Sequence, residues 1–467
     1  PGGRNTVAAS AMTRTPHAIP PTGTLAERLV CAYLTWLPLL WVIGLVLPLA
    51  TLLVIGLFVG VGLSRRSLAA SAPWFAVGGM QLASVALNMW ELQVPAWWIV
   101  KHVLASYVLG WFLLGGCVAI GASGAIRPEP FLRAAARIGW YCAAAALVLY
   151  PLSILGGERY LHVLTPIGQL LPVTLPSTSF FFGMLLYNWE ELFGVLLPRL
   201  SFMFPWTTAM GFGGLCLIFV SANEANRRRR LAAMAGGLFM VAASMGRTAA
   251  LVLAMCAALR LFIAMPRRWQ LPAAAAGVAL ALLVPIGSTI ATGTPDGLVH
   301  ALSEQISDLR PSATQARDLV YEESWAGVYD SPLLGHGWPG EAVYPEDYPQ
   351  VMQGAGTMGP GSHSTYLGLV YLGGLCTFAA FAFALVKTVW SFAAADGPRA
   401  LRYNAIALLA VMGLNGISES LYALVVPTLF AFLWIGIALH QCRALAPRPV
   451  PVRAGARFGA RPTAALS

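Results

Sequence analysis

The segment from Ser364 to Val386, STYLGLVYLGGLCTFAAFAFALV, decides the fold class of this chain. Its 23 residues contain no charged side chain, and a helix of that length crosses a hydrocarbon core about 30 Å thick. Similar apolar runs of 17–25 residues recur from Leu29 to His440. None has the alternation of a barrel strand, so we predict an all-α polytopic membrane protein.

Composition agrees with this prediction, because 58% of the 467 residues are hydrophobic and only 10% are charged. About twelve transmembrane helices are expected. Nine fall within residues 29–290, near 29–47, 48–63, 70–89, 97–121, 138–155, 206–222, 231–245, 248–265 and 271–290. Three fall within residues 364–440, near 364–386, 401–416 and 421–440. Residues 1–28 are expected to be a disordered cytoplasmic N-terminus, and residues 441–467 a basic, disordered cytoplasmic tail.

The net charge of +10 reports orientation rather than nucleic-acid binding. Connections after even-numbered helices contain Arg65, Arg66, Arg127, Arg133, Arg137, Arg227 to Arg230, Arg267, Arg268, Lys387, Arg399, Arg402 and the tail arginines. The opposite side contains far fewer basic residues: Lys101, Arg159, Arg199, Arg247, Arg310 and Arg317. By the positive-inside rule both termini are cytoplasmic, which predicts a multi-pass protein of the bacterial inner membrane.

Residues 156–205 interrupt the pattern on the outer side. The stretch from Phe180 to Pro198 is apolar but contains Glu190 and Glu191. Placing an Asp-like charge at a helix centre costs about 2.5 to 3.5 kcal/mol, and a span here would invert every later connection. We therefore predict an interfacial or re-entrant helix.

Residues 291–363 form the large outer loop region and contain ten acidic residues against two arginines. From about Ser312 to Asp330 the pattern is helical, with Tyr321, Trp325 and Tyr329 on one face. Arg317 lies four residues before Tyr321, so we expect it on this aromatic face rather than toward solvent. The Gly- and Pro-rich stretch after Pro332 predicts a loop folded over a cavity.

A few outer charged residues are candidates for chemistry. Arg247, in Ser-Met-Gly-Arg-Thr, is either a snorkelling arginine or an anion-binding group, and the same alternatives hold for Arg199. His363 begins a span, and an unperturbed pKa of about 6.5 suits proton transfer at neutral pH. His336, in Leu-Gly-His-Gly-Trp, is a second candidate. Glu419 either orients such a group or caps a helix.

These motifs resemble those of the O-antigen ligase/polymerase superfamily, over roughly residues 199–440. The similarity lies in Gly-Arg-Thr at 246–248, in the loop from Arg317 through Trp325 to Pro-Leu-Leu-Gly-His-Gly, and in His363-Ser-Thr-Tyr-Leu. The superfamily is similar to GT-C-type lipid-linked glycosyltransferases. The ligases of lipopolysaccharide assembly, with twelve spans and one large, late periplasmic loop, resemble the chain most. The usual His-Asn pair is His363-Ser364 here.

The resemblance implies catalytic roles for Arg247, Arg317 and His363, and it matches Glu419 loosely to an acid in the last outer turn. Substrate-binding roles are expected for Arg199, Tyr321, Trp325, His336 and Glu419. The implied donor is a glycan on undecaprenyl pyrophosphate, and the implied acceptor is a sugar hydroxyl of lipid A-core. Guanidinium groups would stabilise the leaving pyrophosphate, and His363 would act as general base with inversion at the anomeric carbon.

Other functions stay open at this point. An O-antigen polymerase would use the same residues, and a protein O-oligosaccharyltransferase would transfer to Ser or Thr. A polytopic lipid or glycan transporter would favour charges near the membrane midplane and a repeat between halves, whereas the charges here gather on one face. The sequence contains no P-loop, HExxH, CxxC or DxD motif, so neither a cofactor nor a metal is expected.

Overall fold

The computed structural model describes residues 23–92, 109–171, 182–192, 195–264, 311–338, 359–424 and 426–445. For residues 89–92, 191–192, 259–264 and 311–318 it describes the backbone alone. The helices are α1 (Leu25–Thr35), α2 (Leu37–Ile43), α3 (Val46–Gly60), α4 (Arg65–Leu92), α5 (Leu109–Ala122), α6 (Pro128–Leu155), α7 (Pro166–Leu170), α8 (Thr207–Ser221), α9 (Arg227–Ser244), α10 (Arg247–Ala264), α11 (Pro311–Asp330), α12 (Thr365–Ala393), α13 (Arg399–Asn415) and α14 (Val426–Ala444). A 3-10 turn at Leu421–Ala423 precedes α14.

The predicted apolar, mostly helical fold is confirmed. By length and composition, α6 and α12 could each cross a membrane, and the pair α1–α2 would make a third span if its two halves belong together. Shorter apolar helices among the described residues are α3, α5, α8 and residues 247–258 of α10. The count of twelve spans stays a prediction, and the span near 271–290 lies outside the described residues.

The first predicted helix, near 29–47, is wrong as a single element. The chain bends by 64° between α1 and α2, because Pro38 lies in the first turn of α2 and cannot continue α1. The helical structure also begins before the predicted boundary at residue 28. Thr24 caps α1, and Glu27 is buried in an ion pair with Arg127 that ties this end to the α5–α6 connection.

A three-stranded antiparallel sheet lies in the connection between α6 and α8. Its strands are β1 (Tyr160–Leu164), β2 (Gly183–Leu192) and β3 (Val195–Leu200), in that spatial order. The register includes the pairs Tyr160–Asn188, Leu164–Gly183, Tyr187–Leu200 and Leu192–Val195. The predicted interfacial or re-entrant helix over Phe180 to Pro198 is therefore wrong, and the fold is not all-α. Glu190, treated as an isolated charge in a helix, pairs with Arg199 across the β2–β3 hairpin.

Close helix contacts organise the core. α5 and α14 cross at Gly121 and Gly436, where an added side chain would meet the opposite backbone. α4 packs along α12, and the Trp74 indole N–H donates to the Thr388 hydroxyl at 3.1 Å. A small apolar cavity of about 50 Å³ lies between α1, α3, α5 and α14. Of the residues that the structure describes, its lining includes none of the charged candidates singled out from the sequence.

One long helix, α12, is interrupted at Gly374, where φ is 67° and ψ is −178°. Residues 332–337, here named the docking loop, supply hydrogen bonds across the interruption. The main-chain bonds are Leu375 N–H to Pro332 O at 2.8 Å, Cys376 N–H to Leu333 O at 3.3 Å, His336 N–H to Tyr371 O at 2.8 Å and Gly337 N–H to Leu372 O at 2.8 Å. A helix surrounded by lipid and other helices needs such partners, because an unmade backbone bond there costs several kcal/mol.

Candidate functional site

The turn that contains Arg247 is as short as its sequence predicts. α9 ends at Ser244 and α10 begins at Arg247, so only Met245 and Gly246 connect them. Met245 adopts a left-handed φ of 47°, and the Ser244 hydroxyl accepts the Gly246 N–H at 3.3 Å. Arg247 is half-buried at the first position of α10. The guanidinium is therefore attached to a tightly defined backbone.

Arg199 is held against this turn from the sheet. It lies in β3 with only 3% of its surface exposed, and its Nε–H donates to the Ser244 carbonyl at 2.8 Å. Its Nη1 pairs with the Glu190 carboxylate. Among the described residues, no group accepts a hydrogen bond from its Nη2. The snorkelling alternative considered for Arg199 is wrong, because the guanidinium is buried in protein.

The start of α12 is joined to the turn that contains Glu419. Ser364 caps the helix, accepting the Leu367 N–H at 3.3 Å. The Thr365 hydroxyl donates to the Glu419 carbonyl at 2.6 Å and accepts the Leu421 N–H at 2.9 Å. The Thr365 N–H also donates to the carbonyls of Gly416 and Glu419. Glu419 itself is 4% exposed, so its carboxyl group lies within the protein at this junction.

The same turn contacts the beginning of α10. The hydroxyls of Ser418 and Thr248 are 3.1 Å apart, and these residues are the immediate neighbours of Glu419 and Arg247. The main chains bearing Arg247, Glu419 and His363 are thus linked by short hydrogen-bonded paths. Three candidates that are far apart in sequence occupy one region of the molecule.

His363 lies in the turn between the outer loop region and α12, one residue before the helix cap. Its backbone has a left-handed φ of 58°, and Gly361 two residues earlier has a φ of 82°. The Tyr321 hydroxyl, from α11, donates to the His363 carbonyl at 3.1 Å. The structure therefore places Tyr321 beside His363, and its described contact is with protein main chain.

α11 confirms the predicted helix but not its predicted face. The buried side chains are Val320, Ser324 and Val328, whereas Trp325 is 54% exposed and Tyr329 71% exposed. Trp325 and Tyr329 contact one another, with an indole-to-hydroxyl hydrogen bond of 3.2 Å. The aromatic side chains predicted to face away from solvent thus form an exposed pair. The Arg317 side chain and most of the Gly- and Pro-rich loop lie outside the described residues.

His336 belongs to the docking loop. Its Nε2 lies 2.8 Å from the Gly327 carbonyl, and its ring packs 4.6 Å from the ring of Tyr371. Two side chains of α4 also hold this loop. The Ser84 hydroxyl shares its one hydrogen between the carbonyls of Leu334 and Leu372, and the Asn88 amide donates to the Gly335 carbonyl at 2.9 Å. His336 is thus engaged in joining α11, α12 and the docking loop.

Several residues that organise this region were missed from the sequence. Ser364 and Thr365 carry a recognisable signal, because a Ser-Thr pair before an apolar run favours a helix start. Ser84 and Asn88 are polar side chains one turn apart on an apolar helix, a pattern that deserves a functional or packing explanation in a membrane protein. Ser324 has no such signal beyond its position between Val320 and Val328.

Comparison with known families agrees with the sequence resemblance. Residues 232–382, less than half of the chain, match the O-antigen ligase family. This segment includes Arg247, α11, the docking loop and His363, and the match supports assignment to the O-antigen ligase/polymerase superfamily. It indicates a glycosyltransferase-like membrane enzyme that acts on a lipid-linked glycan and a lipid acceptor. A search of curated proteins gives no match.

Proposed function

We propose that this O-antigen ligase-like protein transfers O-antigen glycan from undecaprenyl pyrophosphate to a sugar hydroxyl of lipid A-core. The reaction would occur at the periplasmic face of the inner membrane. One observation supports the site most strongly: the segments bearing Arg247, His363 and Glu419 meet through the Thr248–Ser418 and Thr365–Glu419 hydrogen bonds. A cation, a titratable imidazole and a carboxyl group are the side chains that such a transfer requires.

In the proposed reaction, a hydroxyl oxygen of the acceptor attacks the anomeric carbon of the donor glycan. The bond from that carbon to the pyrophosphate oxygen breaks, and undecaprenyl pyrophosphate leaves with the electron pair. A ring nitrogen of His363 takes the hydroxyl proton as general base. Attack from the face opposite the leaving group gives inversion. The Glu419 carboxyl group would orient this end of the site.

The leaving pyrophosphate carries negative charge, which Arg247 and Arg317 are proposed to stabilise. Guanidinium groups suit this task beside lipid because they stay ionised and donate two parallel hydrogen bonds to phosphate. Arg199 is proposed to assist indirectly: its buried guanidinium is engaged by Ser244 and Glu190 and holds the sheet against the turn that contains Arg247.

Sugar residues of the glycan are proposed to pack beneath the outer loop region. The exposed Trp325–Tyr329 pair offers an apolar surface with polar tips, which fits the mixed character of a glycan. Tyr321 and His336 would contribute mainly by shaping the pocket wall, in keeping with their main-chain contacts.

A reconstituted transfer assay tests the function. Purified protein is incubated with glycan-loaded undecaprenyl pyrophosphate and lipid A-core, in parallel with donor alone and with donor plus a Ser/Thr acceptor peptide. We expect glycan on lipid A-core, with activity retained in EDTA. Longer lipid-linked glycan without transfer to the core would identify a polymerase, and modified peptide would identify a protein oligosaccharyltransferase. Complete inhibition by EDTA that an added divalent ion reverses would contradict the metal-independent mechanism.

The proposed orientation has its own test. Cysteines introduced at positions 300 and 345 should react with a membrane-impermeant maleimide in intact spheroplasts, because residues 291–363 are proposed to be periplasmic. The unmodified chain controls for its own seven cysteines. Labelling that appears only after lysis would reverse the topology.

A further inference from the structure

We propose that Ser324 is a positioning residue for His363. With Tyr321, it fixes the main chain that presents the histidine to the substrate. This inference rests on the proposed function, because it takes His363 to be the general base. It goes further by assigning a role to a buried, uncharged side chain of α11.

The Ser324 hydroxyl has two defined partners. It donates to the Val320 carbonyl of its own helix and accepts the N–H of Gly361, with an N···O distance of 2.7 Å. The side chain is fully buried, so water does not compete for the contact. Because a hydroxyl has one donor, the bond to Val320 orients its lone pairs, and Gly361 takes one of them.

The second contact comes from Tyr321, about one turn before Ser324 on the same helix. Tyr321 donates its hydroxyl hydrogen to the His363 carbonyl at 3.1 Å. Ser324 and Tyr321 are three residues apart on α11 and thus lie on neighbouring parts of one helix face. Together they hold both ends of the short segment Gly361–His363.

That segment needs to be held. His363 has a φ of 58°, and a left-handed backbone costs a residue with a side chain about 1–2 kcal/mol. Strained residues persist only where their surroundings enforce the conformation. On one side the surroundings are Ser324 and Tyr321. On the other side they are the Ser364 cap and the Thr365 bonds to the Glu419 turn. His363 is thus fixed between α11 and the junction with Arg247.

The arrangement gives α11 a specific part in the reaction. Its backbone also includes residue 317, the proposed loop arginine, about two helical turns before Ser324. One rigid helix would therefore set the spacing between a pyrophosphate-binding residue and the base. A loss of the Ser324 contact should let His363 move while substrate binding continues.

The test compares Ser324→Ala and Tyr321→Phe with Ser331→Ala as a matched control. Ser331 directly follows α11, and its hydroxyl donates to the Gly335 carbonyl at 2.9 Å. Ser331→Ala therefore removes a hydrogen bond to the docking loop but none to Gly361 or His363. We measure kcat, KM for donor, the pH–rate profile and amide hydrogen exchange over residues 359–365. Exchange is read in the absence of substrate.

For Ser324→Ala we expect kcat to fall by about tenfold, the effect of one net hydrogen bond, with donor KM nearly unchanged. Exchange over 359–365 should rise, Tyr321→Phe should act in the same direction, and Ser324→Thr should recover kcat because it retains the hydroxyl. Ser331→Ala should change neither kcat nor this exchange.

Unchanged exchange and kcat in Ser324→Ala would overturn the proposal. So would a parallel loss of stability in Ser324→Ala and Ser331→Ala with the same small effect on kcat, because that describes a merely structural serine. If the wild-type protein transfers no glycan but Ser324→Ala still raises exchange over 359–365, the proposed function fails and the main-chain contact stands.

Discussion

His336 lies between Gly335 and Gly337, which both have a positive φ, and His363, which has a positive φ itself, lies two residues after Gly361; yet the chain holds the two histidines differently. In the first, the imidazole is a fold contact: Nε2 meets the Gly327 carbonyl and the ring packs on Tyr371. In the second, Ser324 and Tyr321 of α11 bind the main chain around the histidine: Ser324 accepts the Gly361 N–H, and Tyr321 donates to the His363 carbonyl.

This difference suggests different roles for the two histidines. A ring that joins a loop to an interrupted helix stabilises the fold, and moving its proton would disturb that contact. The backbone of His363 is fixed at the junction with Arg247 and Glu419, which is why we propose His363 as the general base. Two candidates for a general base that look similar in the sequence are thereby ranked, with His363 first.

The largest expected effect comes from closing the space that the docking loop requires. Gly335→Ala would add a Cβ 2.5 Å from the Gly374 nitrogen and 2.6 Å from that of Gly373, at a φ of 66°. Left-handed strain of about 1–3 kcal/mol adds to the steric conflict. We expect little folded protein in size-exclusion chromatography from detergent. Gly79→Ala, where a Cβ meets nothing within 4 Å, should fold normally. Equal recovery of both variants would contradict a tightly docked loop.

The next largest effect is expected from replacing Arg247, which tests whether the junction that fixes His363 is part of the reaction site. Arg247→Ala should lower the rate by about 10- to 150-fold, because one charge-assisted hydrogen bond is worth about 1.5–3 kcal/mol. Arg247→Lys should recover only part of this loss, since lysine lacks the planar fork. Initial rates at saturating donor check both. Full activity of both variants would remove Arg247 from the mechanism.

A smaller effect is expected at Ser84, which holds the docking loop from α4. Ser84→Ala should lower the free energy of unfolding by about 0.5–1.5 kcal/mol, because the carbonyls of Leu334 and Leu372 lose a donor. Thermal unfolding monitored by tryptophan fluorescence can detect this change. Ser391→Ala provides the control, since its exposed hydroxyl bonds only within its own helix, to the Lys387 carbonyl. A matching shift in both would show that the α4 contact contributes nothing specific.

Much of the fold could be predicted because hydrocarbon thickness sets the length of apolar runs, and α12 follows closely from the uncharged run at 364–386. The sheet at 160–200 could not. The cost assigned to Glu190 assumed no partner, and the hairpin brings the Arg199 guanidinium into an ion pair with it. An ion pair across a hairpin leaves no periodicity in the sequence that would reveal it.

The site was predictable only in its charged members. Arginines are rare on the side predicted to face outward, so Arg199 and Arg247 stood out, and the histidines stood out by residue type. The connecting groups Thr365 and Ser324 are common, uncharged residues. Their importance comes from contacts with distant segments, which the sequence does not reveal.

The most direct test compares the two histidines in one purified preparation. The central claim predicts that His363→Ala lowers kcat by about 10²–10⁴-fold, the usual contribution of a general base, while donor binding persists. His336→Ala should keep turnover within about tenfold of wild type and unfold at a lower temperature, having lost a fold contact. Near-normal turnover in His363→Ala, together with a folded but inactive His336→Ala, would contradict the account.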